Sequence, residues 1–218
     1  MRVAMIGATG LVGSLAGPKL LADGWSVDAL VRRPSGFEHP GWREHVAPAD
    51  RWPAIVPTLG ADAAVSALGT TMRQAGSQAA FRTVDHDVVA GFAQAAAAAG
   101  VRRMVTVSSV GADPDSSNFY LRIKGEMESA LEGLGFERLD ILRPGLLRGE
   151  RRGDRRLGER IGIALSPAVN LVLRGRLERF AAIDADRVAA AVAGALRQAE
   201  PGTHRHENRS IARLAQSV

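Results

Sequence analysis

Arg2-Val-Ala-Met-Ile6-Gly7-Ala-Thr-Gly10-Leu-Val-Gly13 decides the fold. Residues 3–6 form a short apolar run that reads as a strand, and it stops at three glycines spaced three apart. Glycine at 7 and 10 permits a tight turn and a close approach of backbone to a ligand, and Gly13 lets the following helix sit against the strand. A turn needing positive φ accounts for one glycine. It does not account for three at a fixed period between a first strand and a first helix, where a pyrophosphate rests on the N–H groups of the helix N-terminus. Gly7, Ala8, Thr9, Gly10, Leu11, Val12 and Gly13 are therefore candidate cofactor-binding residues, with the spacing GxxGxxG in place of GxGxxG.

The same alternation continues outward. Residues 26–31, 63–68, 103–108 and 137–142 are short runs rich in apolar and β-branched residues, and 44–47 supply one more short strand. Between them, residues 10–23, 81–99 and 116–134 are long enough for crossover helices. Strands alternating with helices predict an α/β fold with a doubly wound parallel sheet, the Rossmann arrangement. Gly13, Gly17 and Pro18 lie inside the first helix, so either it bends there or its boundary differs from 10–23. Beyond Pro144-Gly145 the rhythm stops. Residues 148–160 hold six Arg against Glu150, Asp154 and Glu159, which reads as a surface loop or a partly helical lid. Residues 184–198 read as an Asp-capped helix with an alanine face. The expected organisation is one domain over 1–218, with 146–218 as a small C-terminal substrate or lid lobe continuous with it.

Composition bounds the rest. With 218 residues and 46% hydrophobic, the chain can bury a full core, and 5% aromatic suits close-packed helices on a sheet. The net charge of +5 favours anionic ligands but is too small and dispersed for a nucleic-acid surface. There is no cysteine, which excludes disulfides and thiolate chemistry. His204-Arg-His206 reads as an exposed tail, and two histidines two apart without a third ligand make no metal site. Glycines interrupt the N-terminal apolar run, so no signal peptide or membrane span is expected, and a cytoplasmic protein is the default.

Three further stretches lie at carboxyl ends of expected strands, where open α/β sheets bind ligands. Arg32-Arg33-Pro34 follows the second strand, where an acidic residue would hold the ribose hydroxyls of NAD(H). A guanidinium suits a 2′-phosphate, so NADP(H) is expected over NAD(H), the other reading being two solvated arginines. Asp50 follows the short third strand, at the adenine position. Leu68-Gly69-Thr70-Thr71 follows the fourth, and its threonines either face the ribose or pyrophosphate or cap a following helix.

Tyr120-Leu-Arg-Ile-Lys124 supplies the chemistry. On a helix, positions i and i+4 share a face, so phenol and ammonium can meet at one cavity. A free phenol titrates near pH ~10, and a neighbouring cation favours the phenolate, which suits proton exchange with a substrate oxygen.

With GATGLVG at the start, LGTT after the fourth strand, VSSVGAD after the fifth and FYLRIKGE on the next helix, the chain resembles the short-chain dehydrogenase/reductase superfamily over residues 1 to about 150. More narrowly it is similar to the atypical, extended-type branch, with the Tat-interacting-protein-like oxidoreductases and NAD-dependent epimerase/dehydratase-like proteins. The resemblance implies that Tyr120 is the general acid/base, that Lys124 supports it and holds the nicotinamide ribose, and that a serine binds the substrate oxygen. Ser109 is favoured for that serine, with Ser108 the alternative. It also places Pro144 beside the nicotinamide. Asp85 stands where many relatives carry the Asn of a proton relay, and about 70 residues after Pro144 are few for a nucleotide-sugar lobe. The implied activity is NADP(H)-dependent reduction of a small carbonyl compound by a monomer or homodimer. An NADPH-binding redox sensor or scaffold is the second reading, and a nucleotide-sugar epimerase or dehydratase the third.

Overall fold

The computed structural model describes residues 1–149 and 179–216. The first unit runs β1 (Arg2–Ile6), α1 (Gly13–Ala22), β2 (Ser26–Val31) and β3 (Trp42–Val46). A short helix α2 (Trp52–Ile55) leads to β4 (Ala63–Ser66), and two more, α3 (Met72–Ala75) and α4 (Gln78–Arg82), lead to α5 (Val88–Ala98). Then come β5 (Arg103–Val107), α6 (Phe119–Glu132), β6 (Arg138–Leu142), β7 (Leu147–Arg148), β8 (Ile183–Asp184), α7 (Ala185–Arg197), β9 (Gly202–His206) and α8 (Asn208–Gln216).

Seven strands form one sheet in the order β3-β2-β1-β4-β5-β6-β9, and every adjacent pair is parallel. This is the doubly wound sheet that the alternation predicts. Successive β1 residues face opposite layers, as strand geometry requires. Val3 and Met5 pack with Ala16 and Leu20 of α1 and Val188 and Val192 of α7, whereas Ala4 and Ile6 pack with Trp52, Phe92 of α5 and Met127 and Leu131 of α6. Both faces are covered, so the buried positions of β1, β4 and β5 are apolar apart from Ser66 and Thr106. The order reverses between β1 and β4, and the crevice at their carboxyl ends is where such sheets bind ligands.

Helix α1 starts at Gly13, later than residue 10, and continues through Pro18. The expected helix over 81–99 is divided: α4 ends at Arg82, a π-helical turn spans Thr83–Asp87, and α5 follows. Asp184 occupies the N-cap of α7, but its side chain makes no capping bond; it pairs with Arg148 at 3.5 Å. The histidine tail is not a free tail. Gly202–His206 is the last strand of the sheet, held by β6 in register, and His206 bonds the buried Asp140 at 2.8 Å.

In the region expected as a lobe, α7 buries against the main sheet and β9 joins it, while β7 and β8 form a separate parallel pair. Of the arginine-rich stretch 148–160, only Arg148 and Gly149 are described; the remainder lies outside the described residues.

Candidate active site

The glycine turn is built from the absence of side chains. Gly7 has φ +77°, and a Cβ there would lie 2.3 Å from the backbone of Ala67 and Leu68. At Gly13 a Cβ would lie 2.1 Å from the Gly7 carbonyl oxygen. The Gly10 N–H donates to Gly7 O at 3.0 Å and the Ser14 N–H to Gly10 O at 2.9 Å, which closes the turn and starts the helix. Val12 at the N-cap contributes no side-chain cap, so backbone alone forms this helix entrance. Ala8 and Val12 are buried in the core beneath the turn, while Gly7, Thr9, Gly10, Leu11 and Ser14 line a cavity of about 560 Å³.

The cavity runs along the carboxyl ends of the sheet. Arg32 and Arg33 line it beyond β2, and Leu68, Gly69 and Thr70 beyond β4. Asp50 does not line it. Asp50 is exposed on a 3-10 turn, and its neighbours Ala49 and Trp52 line the wall instead. Trp52 is held by its indole N–H on Ala47 O at 3.1 Å, and no polar signal in the sequence marks it. The two threonines divide the readings open to them. Thr70 lines the cavity, while the Thr71 hydroxyl caps α3 by accepting the Gln74 N–H at 3.2 Å. A nucleotide's pyrophosphate fits this turn, since the side-chain-free backbone of Gly7 and Gly10 faces the cavity beside a helix N-terminus that carries no side-chain cap.

Tyr120, Lys124, Ser108, Ser109 and Pro144 do not line this cavity; a buried charge pair stands behind its Thr70 loop. Lys124 on α6 is 4% exposed, and its ammonium lies 2.7 Å from Asp85 Oδ1. Asp85 comes from the π-helical turn, is fully buried, and accepts the Thr70 N–H on Oδ2 at 2.8 Å. The carboxylate thus joins the lysine to the loop that lines the cavity. Burial pushes the Lys124 pKa down, but the charge of Asp85 foremost, then of Tyr120 and Glu128, outweighs it and raises the pKa above the ordinary lysine value. Where the resemblance implies an Asn relay, this chain carries an ion pair.

Tyr120 sits one turn before Lys124 on α6, half-buried, with its ring 5.5 Å from that of Phe81. The two serines beyond β5 diverge. Ser108 is buried and its hydroxyl donates to Glu128, whereas half-buried Ser109 reaches only the Val110 carbonyl, at 3.4 Å. Pro144 is buried beyond β6, and its carbonyl accepts the Val110 N–H at 3.0 Å, which ties the serine loop to the β6 end. Glu128 was not singled out by the sequence. Its spacing from Lys124 repeats the spacing of Lys124 from Tyr120, which is the one signal that marks it.

Among the described residues no cluster of His, Cys, Asp and Glu could hold a metal ion. Among them, too, no helix is long and apolar enough to cross a membrane.

A profile described as NAD(P)H-binding matches residues 7–199. The mitochondrial protein FMP52 of Coccidioides immitis is 32% identical, with 97% of this chain and 92% of that protein covered. FMP52 of Eremothecium gossypii, also named mitochondrial, is 38% identical over 82% of this chain and 80% of that protein. These names correct the cytoplasmic expectation: curated relatives across nearly the whole chain are named mitochondrial, and glycines interrupting an apolar run bear only on leaders and spans of the apolar kind. Among solved structures, the Bordetella bronchiseptica enzyme WbmH in complex with NAD+ superposes with a TM-score of 0.69 at 17% identity, covering 99% of this chain and 79% of that one. The UDP-glucose 4-epimerase of Thermotoga maritima gives 0.69 at 14% identity, covering 95% and 77%. From the glycine turn at residue 7 to the end of α7, the chain belongs to the NAD(P)H-binding family.

Proposed function

We propose that the protein is an NADP(H)-dependent oxidoreductase that reduces a small carbonyl compound. The observation that carries this reading is Lys124, buried and ion-paired one helical turn from Tyr120 and tied through Asp85 to the cavity-lining loop. When bound, a nicotinamide cofactor supplies the hydride. The chain's own groups do the rest. Backbone at Gly7 to Gly13 holds the pyrophosphate, Arg32 and Arg33 face the 2′-phosphate, and Tyr120 gives the proton to the substrate oxygen. Lys124 keeps a positive charge beside that phenol, since a cation favours the phenolate left after proton transfer. Ser109, whose hydroxyl has no stronger commitment than a long contact to Val110, orients the substrate oxygen. A monomer or homodimer without nucleic-acid or membrane partners is sufficient for this chemistry.

Tyr120→Phe tests the reading. General acid/base groups contribute roughly 10²–10⁴-fold, so NADPH-dependent turnover with a panel of small aldehydes and ketones is expected to fall by about that factor, with NADPH affinity nearly unchanged. Undiminished turnover in the variant removes Tyr120 from the mechanism. Tight NADPH binding by wild-type protein with no carbonyl turned over favours a sensor instead.

A further inference from the structure

Tyr120, Lys124 and Glu128 follow one another at i, i+4 and i+8 along a single face of α6. The first two belong to the proposed proton chemistry. The third is also a buried ionisable group, 2% exposed, and no step uses it. Its contacts reach away from the helix. Glu128 accepts the Ser108 hydroxyl from the end of β5 and the Arg143 guanidinium from the end of β6, the Arg143 Nε lying 3.0 Å from both carboxylate oxygens. Arg205 of β9 stands 3.8 Å away. The two strand ends are themselves joined, Ser108 N–H to Leu142 O at 2.7 Å and Val110 N–H to Pro144 O at 3.0 Å. Each side chain that Glu128 grips immediately precedes a residue placed at the reacting end of the site: Ser108 before Ser109, and Arg143 before Pro144.

A buried carboxylate costs several kcal/mol of desolvation, on the order of what its partners return, so such an arrangement adds little to stability by itself. What it does add is geometry. The Arg143 fork and one hydroxyl fix the carboxylate in a plane, and the carboxylate in turn fixes two loops against the helix that carries the phenol.

We propose that Glu128 is a positioning residue that sets the Ser108–Ser109 and Arg143–Pro144 turns against the Tyr120–Lys124 face of α6. The proposal rests on Tyr120 and Lys124 being the proton-handling pair. It acts through both partners on one link: losing the carboxylate charge frees Arg143 and the β6 end that Pro144 O ties to Val110 N–H, and losing the Ser108 hydroxyl frees the same serine turn from α6.

The test uses two variants that keep the fold's volume. Glu128→Gln retains an acceptor for Ser108 but not the charge facing Arg143, and Ser108→Ala removes one hydroxyl. With a carbonyl substrate turned over by wild-type protein, kcat is expected to fall about tenfold or more in each, as a small misplacement of reacting groups does, with KM for NADPH changed less than about twofold. The double variant is expected to lose no more than the worse single one, because both break the same link. Additive losses, or kcat within about twofold of wild type in Glu128→Gln, overturn the proposal. A second arm is independent of turnover. Tyr120 is the only tyrosine, so 3-fluorotyrosine incorporation yields a single fluorine resonance from the site. That resonance is expected to move in Glu128→Gln while unfolding stays cooperative, and an unmoved resonance overturns the positioning role. Should Glu128→Gln not fold, the Ser108→Ala resonance decides in the same way. Wild-type protein that binds NADPH and reduces no carbonyl defeats the proposed function alone, and the fluorine arm still decides the role of Glu128.

Discussion

The glycine turn, which lines the cavity, and the buried charges of α6, which reach it only through Asp85 and the Thr70 loop, are made in opposite ways. The turn works through what is missing, since Gly7 and Gly13 leave room for backbone to meet backbone. The charges work through what is present, a buried lysine and two buried carboxylates, each held by partners far away in sequence. A site formed by omission tolerates no added atom. A site formed by paired charges tolerates a change of shape better than a change of charge.

The sharpest way to break this contrast is Gly13→Ala. One methyl group would lie 2.1 Å from the Gly7 carbonyl oxygen, and backbone there cannot yield as a flexible side chain would. A loss of more than about 3 kcal/mol is expected in urea unfolding, together with loss of NADPH binding. Native-like stability in this variant would mean that the turn is looser than its geometry indicates.

Asp85→Asn comes next. Its amide can still accept the Thr70 N–H, but it leaves Lys124 buried without its counter-charge, a change expected to cost about 3 kcal/mol at neutral pH. The sign of the pH dependence follows from the raised lysine value. In wild type the pairing contributes fully below the unfolded lysine pKa of about 10.4 and is lost as pH rises through the higher folded value, whereas in the variant burial lowers the Lys124 pKa without that counter-charge, so the gap narrows as pH rises from neutrality towards about 10. A gap that stays constant from about pH 7 to beyond about pH 10 would remove Lys124 as its origin.

A third charge pair lies outside the site and shows how far the second principle extends. On β6, Asp140 takes both arms of Arg138 at 2.7 and 2.8 Å and the His206 ring of β9 at 2.8 Å. Burial raises the Asp140 pKa, yet the hydrogen bonds from His206 and Arg138 outweigh it and hold the carboxyl below its ordinary value. Its contribution is therefore present above about pH 4 and is lost as pH falls through the lower folded value. Asp140→Asn is expected to cost about 2 kcal/mol at pH ~7 and progressively less in acid, read by thermal unfolding across pH. The smallest effect is on cofactor choice. Replacing both Arg32 and Arg33 with Ala is expected to weaken NADPH about tenfold, which is about 1.4 kcal/mol, and to leave NADH unchanged, in parallel fluorescence titrations.

The contrast also explains what could be read before folding. The turn is contiguous, so its glycines, the strand before it and the helix after it appear together in a dozen residues. The succession of strands and helices follows the same local alternation, and the run 26–31 matches β2 to the residue. The charges are not contiguous. Tyr120 and Lys124 show their relation through helical spacing, but nothing local says that Asp85 enters through a π-helical turn to meet Lys124, or that Ser108 and Arg143 converge on Glu128. Those partners stand 39, 20 and 15 residues from theirs, and only the sheet order brings them together. Asp50 and Trp52 show the converse. A position in a loop sequence suggested a polar contact, and a two-residue offset on a 3-10 turn placed an indole there instead.

Leu147 pairs with Ile183 and Arg148 with Asp184, side by side and parallel, so positions 148 and 183 are held next to each other. For a segment whose ends are already held together, added length costs only logarithmically in closure entropy. Replacement of everything between these two strands would therefore leave the sheet's own pairing intact. In evolutionary terms this is a socket: a place where segments of different length can be exchanged without moving the two strands that hold their ends.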